Sequence, residues 1–251
     1  MRASQNSSLG FFLAVIGILL SVVLFGQATW RRTYGGYGSD IGHGILQSLD
    51  GGYLALGTTG SFGLGSSDLY LVKLDPDGGV EWSKTYGSTQ IDQGWSIAQG
   101  VNGNALVGYS SEGGNGYDGL LIFVDDQGTE LWRKTYGTPA WDFLLGIATT
   151  TNGYYLVGQT FSGLGNGDEW IIHTGLDGDT LWTRSFGTSY EDVAHSVIST
   201  SDGGCVVAGT NGSLDGTTDA VLTKFSSLGE IEWQSVLGGA SNEIGYGVTM
   251  T

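Results

Sequence analysis

The chain has 251 residues, 25 of them Asp or Glu against nine Lys or Arg, for a formal net charge of −16. Such a chain lacks the basic footprint that nucleic-acid recognition needs, and it repels anionic membranes; the acidic surface suits solubility or divalent cations. A 40% apolar share with 12% aromatics excludes disorder, and 46 glycines beside two prolines point to tight turns rather than a linker.

Residues 1–28 stand apart from the rest. Met1 and Arg2 give a positive start, Leu9 to Gly26 carries no charge, and Gly26-Gln27-Ala28 offers small residues where a signal peptidase reads. The segment is expected to be a hydrophobic helix serving as a signal peptide or, uncleaved, as a membrane anchor, since 18 apolar residues just span a hydrocarbon core. Either reading puts residues 29–251 outside the cytoplasm, extracellular or at the cell surface, with membrane contact only through this segment.

From Trp30 onward the chain repeats. Trp30, Trp82, Trp132, Trp182 and Trp233 are separated by 52, 50, 50 and 51 residues. Five residues after each comes Gly, and ten after comes an acid: Asp40, Asp92, Asp142, Asp192 and Glu243. Asp68, Asp118, Asp168 and Asp219 stand fourteen before the next Trp.

One unit reads as four strands. Val80 to Tyr86 alternates apolar and polar residues, as a half-buried strand does. A short strand follows around Gly94 to Ala98, and Asn102-Gly103 signals a tight turn with positive φ. Ala105 to Tyr109 is the third strand; a Gly-rich loop leads to the fourth, Asp118 to Asp125. Four short antiparallel strands per 50 residues predict an all-β fold, a β-propeller of four-stranded blades with about four and a half repeats present.

The constant residues have structural explanations. Each Trp packs between neighbouring blades, the glycines end strands or take positive φ, and the acids ten after Trp bond turn amides. Identical corner pieces in every blade argue against catalysis, which draws different residues from different blades.

Little chemistry stands out. Cys205 is alone, so no disulfide forms within the monomer, and it falls in a strand as a small buried residue. His43 and His195 share one repeat offset with Trp95, Leu145 and Tyr246, which favours packing over metal binding, and His173 lies in a strand. Gly113 to Leu120 matches a single calcium-roll repeat, a motif that needs tandem copies. Asp68, Asp118, Asp168 and Asp219 remain weak calcium candidates through their oxygens. No nucleophile elbow or phosphate loop occurs, and neighbouring acids such as Asp125-Asp126 point to opposite strand faces. No cofactor is expected.

Asp68-Leu-Tyr-Leu-Val-Lys-Leu-Asp75, Gly78, Trp82-Ser-Lys-Thr-Tyr-Gly87, Asp92 and Asn102-Gly103 resemble the β-propeller repeats of secreted and cell-surface proteins of bacteria and archaea. The resemblance covers roughly residues 30–251 and implies a propeller in an extracellular place, with no common activity. Asp75-Pro-Asp-Gly78-Gly-Val-Glu-Trp82 is more distantly similar to quinoprotein dehydrogenase repeats, without their Thr-Gly-Lys segment. Sialidase Asp boxes differ, with Gly three rather than four before the aromatic residue.

The fifth unit stops at Thr251, before its Asp/Asn-Gly turn, so the chain is expected to be part of a longer propeller. The function expected from sequence is a non-enzymatic extracellular scaffold binding protein or glycan, because no non-repeated polar residues point to the central channel. The alternative is a propeller enzyme, a quinoprotein-like oxidoreductase or a glycan-active hydrolase or lyase, with its site partly in further blades.

Overall fold

A computed structural model describes residues 30–114, 116–163 and 166–250. The predicted signal or anchor segment lies outside the described residues. Among those residues no helix is long and apolar enough to cross a membrane.

The chain forms four antiparallel sheets of four strands, each a simple up-and-down meander. The first holds β1 (Asp40–Gln47), β2 (Tyr53–Thr59), β3 (Asp68–Leu74) and β4 (Val80–Tyr86). The second holds β5 (Asp92–Gly100), β6 (Gly103–Ser110), β7 (Asp118–Val124) and β8 (Glu130–Tyr136). The third holds β9 (Asp142–Thr149), β10 (Gly153–Thr160), β11 (Asp168–Gly175) and β12 (Thr180–Phe186). The fourth holds β13 (Asp192–Ser199), β14 (Cys205–Gly212), β15 (Thr218–Phe225) and β16 (Ile231–Leu237). This is the all-β, propeller-like architecture that the repeat predicts.

Trp82, Trp132 and Trp182 each sit on the outermost strand of one sheet and reach the next. Trp82 packs on Gly128, Trp132 on Gly178 and Trp182 on Gly229, at the β-hairpin between the third and fourth strands of the following sheet. The tyrosine four residues on locks the same hairpin: Tyr86 donates to Gly128 O and Tyr136 to Gly178 O, each at 2.6 Å. Trp30 and Tyr34 repeat the arrangement on the first sheet, bonding Pro76 O and Gly78 O at 3.2 and 2.8 Å. Gly128 shows why the hairpin residue is glycine: its φ is +71°, and a Cβ there would lie 2.8 Å from the Trp82 ring. Trp233, at the same offset, is 46% exposed.

The core lies between the sheets. Leu54, Leu56, Leu69 and Leu71 of the first sheet meet Leu106, Leu120 and Ile122 of the second. Leu121 and Phe123 meet Leu144, Leu156 and Ile172 across the next interface, and Tyr155 and Ile171 meet Val197 and Val207 across the third. Cys205 is fully buried, and burial pushes its thiol up to about 12, so it behaves as an apolar filler.

The turn signal is placed as predicted but is read differently by the backbone. Asn102 itself takes φ +58°, the one positive φ among described non-glycine residues, while Gly103 pairs with Gly100 and begins β6. In the longer Asp-Gly-Gly turns it is Gly51 and Gly203 that take positive φ.

Candidate functional site

In each sheet the first and third strands begin, and the second and fourth end, at the same rim. The acids that recur in the sequence gather there. Asp92 Oδ2 accepts from Ser88 N and Oγ at 2.6 and 2.9 Å. Asp142 Oδ2 accepts from Thr138 N and Oγ1 at 2.7 and 3.0 Å, and Asp192 accepts from Thr188 and Gly212. Asp40 accepts from Gly36 N, Ser61 and Thr59, and Glu243 from Gly239 N. These side chains close their own loops, the role the repeat suggests.

The second set of acids meets the first. A Cβ at Gly137 would collide with Asp118 Oδ1 and stand 3.2 Å from Asp142 Oδ2, so the two carboxylates face one another across that glycine. Gly87 stands likewise between Asp68 and Asp92. The calcium candidates Asp68, Asp118, Asp168 and Asp219 therefore fall one to a sheet. Among the described residues no group of three or more His, Cys, Asp or Glu side chains could hold a metal ion. Burial first, and the facing acid second, raise the carboxyls of Asp68 and Asp118 above the ordinary range. The two differ in surroundings. Asp68 Oδ2 accepts from Leu64 and Gly65 amides at 3.1 Å, whereas Asp118 opens on a cavity lined by Gly113, Thr135, Gly137, Thr138 and Pro139.

Along the same rim the repeat breaks down. Trp141 sits at an offset held by Ser39, Ile91, Glu191 and Asn242 elsewhere, and Phe143 at one held by Ile41, Gln93, Val193 and Ile244. Phe161, Tyr117 and Tyr109 likewise replace small or polar residues. Trp141 lies 5.6 Å from Tyr117 and 6.2 Å from Phe161, and Tyr109 lies 4.8 Å from Phe143. Trp141 is 53% and Phe161 37% exposed, and the other three are partly exposed.

Inward of these rings is the channel. The register of every innermost strand slips at one residue, a β-bulge: His43 between Gly42 and Gly44, Trp95 between Gly94 and Ser96, Leu145 between Leu144 and Gly146, and His195 between Ala194 and Ser196. A bulge leaves its extra residue unpaired and re-aims the side chain. All four line a cavity of about 420 Å³, joined by Tyr246. His43 stacks on Trp95 at 4.2 Å and His195 lies 5.1 Å from Tyr246. Burial lowers both imidazoles, which favours their neutral forms. The shared offset, read from sequence as packing, is thus the channel lining. His173 instead stacks on Tyr155 inside the third sheet.

One further residue departs from the repeat. Glu169 on β11 occupies the place of Leu69, Gly119 and Ala220. It is fully buried against Gly209 of the fourth sheet, and neither carboxyl oxygen has a hydrogen-bond partner. Burial, then Asp192, raises its carboxyl well above the ordinary range. Non-repeated polar residues are therefore present both at the channel and between sheets, contrary to expectation. Their signal in the sequence is departure from the repeat, not a motif.

The opposite rim is held by ion pairs. Buried Lys73 bridges Asp50 and Glu81 at 2.7 and 3.2 Å, and Lys224 bridges Asp202 and Glu232 at 2.9 and 3.2 Å. Each Lys faces the Trp of the adjacent strand, where the other sheets carry Phe123 and His173.

No protein-family model and no curated protein matches the sequence. Among solved structures, the fold is similar to a candidate exo-beta-1,3-galactanase from Bifidobacterium bifidum s17, with TM-score 0.51 and 14% identity over 83% of this chain and 75% of that one. An endo-arabinase from Bacteroides thetaiotaomicron VPI-5482 gives TM-score 0.47 and 14% identity over 81% and 82% of the two chains. A tail fiber of Staphylococcus aureus phage P68 gives TM-score 0.30 and 13% identity over 78% and 52%. The expectation of a non-enzymatic scaffold, and with it the expectation against catalysis, is corrected here. The structure similar at TM-score 0.51 is named as a candidate galactanase, so a regular fold of this kind is no argument against an enzyme.

Proposed function

We propose that this protein is a glycan-active hydrolase working at the rim where the inner strands begin. The observation that carries the proposal is the placement of Asp118, a carboxyl opening on a cavity, on the same rim as the non-repeated rings of Trp141 and Tyr117. Aromatic faces take the C–H face of a sugar ring, and a carboxyl kept protonated by its surroundings can protonate a glycosidic oxygen. The fold likeness to a candidate galactanase is in keeping with this.

The roles follow from the geometry. Burial and the facing Asp142 raise Asp118, the direction that suits a proton donor to the leaving oxygen. Asp142 is fully buried and held by Thr138, so it acts on Asp118 through its charge rather than by touching the sugar. Export through the N-terminal segment would bring the enzyme to polymeric glycans outside the cell.

The test is reducing-end release from neutral polysaccharides by the full chain and by Asp118→Asn. The variant is expected to lose about 100-fold or more in kcat with little change in KM. Equal activity in the variant removes Asp118 from the mechanism, and no cleavage of arabinans, galactans, xylans or β-glucans rejects the hydrolase reading.

A further inference from the structure

The rim rings continue inward without interruption. Phe161, Trp141, Phe143 and Tyr117 stand at centroid spacings of 5.4 to 6.5 Å. Tyr117 lies 5.3 Å from Tyr109, which lies 6.4 Å from Trp95, and Trp95 stacks on His43 in the channel. None of these side chains is fully buried, and they come from three successive sheets and their loops.

The charge around this track is one-sided. Every Lys and Arg among the described residues lies in the Arg31-Arg32 segment or on β3, β4, β8, β12 or β15. The rim loops and inner strands hold none, while they carry Asp40, Asp92, Asp142, Asp192, Glu112 and Glu191. Arg133 on β8 acts electrostatically on Glu112 and Asp92, but the acids of the loops and inner strands outnumber the cations near them, so an anionic polymer would meet a net negative surface there. The channel imidazoles add no positive charge in their neutral forms.

We infer that the track is an extended binding surface for an uncharged polysaccharide chain, several sugars long, running from Trp141 and Phe161 at the rim to Trp95 and His43 in the channel. This rests on the glycan reading and adds to it two properties: selection for neutral over acidic polymers, and affinity that grows with chain length. Successive rings offer successive stacking sites, so each added sugar gains until the track is filled. A disaccharide covers only part of it.

The experiment measures binding by the full-length Asp118→Asn protein, whose turnover of the probe is expected to be slowed about 100-fold or more. The probes are a neutral β-galactan, its oligosaccharides from two to six units, and polygalacturonate, whose sugar differs by a C6 carboxylate. Affinity is expected to rise about tenfold or more from two to five units, with polygalacturonate bound at least about tenfold more weakly than galactan. Trp141→Ala and Phe161→Ala, both at exposed positions and so expected to fold, should each weaken the longer chains about five- to tenfold and leave the two-unit probe little changed. If the wild-type protein cleaves a neutral glycan other than galactan, that glycan's oligosaccharides and its uronate-bearing counterpart replace the probes. Length-independent affinity, unchanged binding by both variants, or equal binding of the acidic polymer overturns the track while leaving the hydrolase reading standing. Absence of both binding and cleavage across the neutral glycans rejects the two together.

Discussion

Replacing Glu169 with Gln tests the logic of the interface between the third and fourth sheets. The substitution keeps the shape of the side chain and removes its ability to ionise. Glu169 is fully buried with both oxygens unpartnered, so its charged form is strongly disfavoured in the folded state. The folded protein therefore binds this proton more tightly than the unfolded chain, whose glutamates titrate near about 4.3. Below that value both states are protonated and Glu169 does not contribute to the pH dependence. As pH rises through the window up to the raised folded value, stability falls by about 1.4 kcal/mol per pH unit. The total loss grows with the width of that window. Urea unfolding of wild type and Glu169→Gln at several pH values from 4 to 8 gives the difference directly. The other raised acids Asp68 and Asp118 shift both proteins in the same direction and largely cancel, while Asp192, which acts on Glu169 through its charge, is relieved in the variant. The variant should gain on the wild type as pH rises. A difference that stays flat with pH, or a variant less stable at pH 7.5, would refute the reasoning.

Three other outcomes are expected. Trp132→Ala should cost about 3 kcal/mol, because Trp132 stacks on Phe123 at 5.4 Å and 10° and covers Gly178, whereas Trp233→Ala at the same offset should cost less than about 1 kcal/mol; equal losses in urea unfolding would contradict the inter-sheet role. Gly128→Ala combines positive φ with collision against Trp82 and should cost more than Gly216→Ala, which has φ +81° but nothing within 4 Å and should lose only about 1–2 kcal/mol. Asp142→Asn removes the charge that helps raise Asp118, so the alkaline limb of the activity profile should move to lower pH; an unmoved limb would show that Asp142 does not set the proton donor.

Much of the fold was legible because it is local. Val80 to Tyr86, predicted from alternation, is β4 residue for residue, and Asp118 to Asp125 overruns β7 by one. The acids ten after Trp close turns four residues away, an interaction that repeat spacing can reveal. Less legible were features that exist only between strands. His43 and Trp95 look like packing residues until the register shows that each is the unpaired residue of a bulge, facing a cavity. Trp141, Phe143, Phe161 and Glu169 are visible in the sequence only as exceptions to the repeat.

By itself the sequence determined the repeat, the strands, the turns and the packing of most of the recurring tryptophans between neighbouring sheets. These follow from alternation, backbone freedom at glycine and short-range hydrogen bonds, all of which act over a few residues or one repeat. Tertiary structure alone decided that Asp118 faces Asp142 beside an open cavity, that seven rings from three sheets form one track, and that Glu169 is sealed without a partner. Those depend on how separate sheets meet, and burial and charge are properties of that meeting rather than of any one segment.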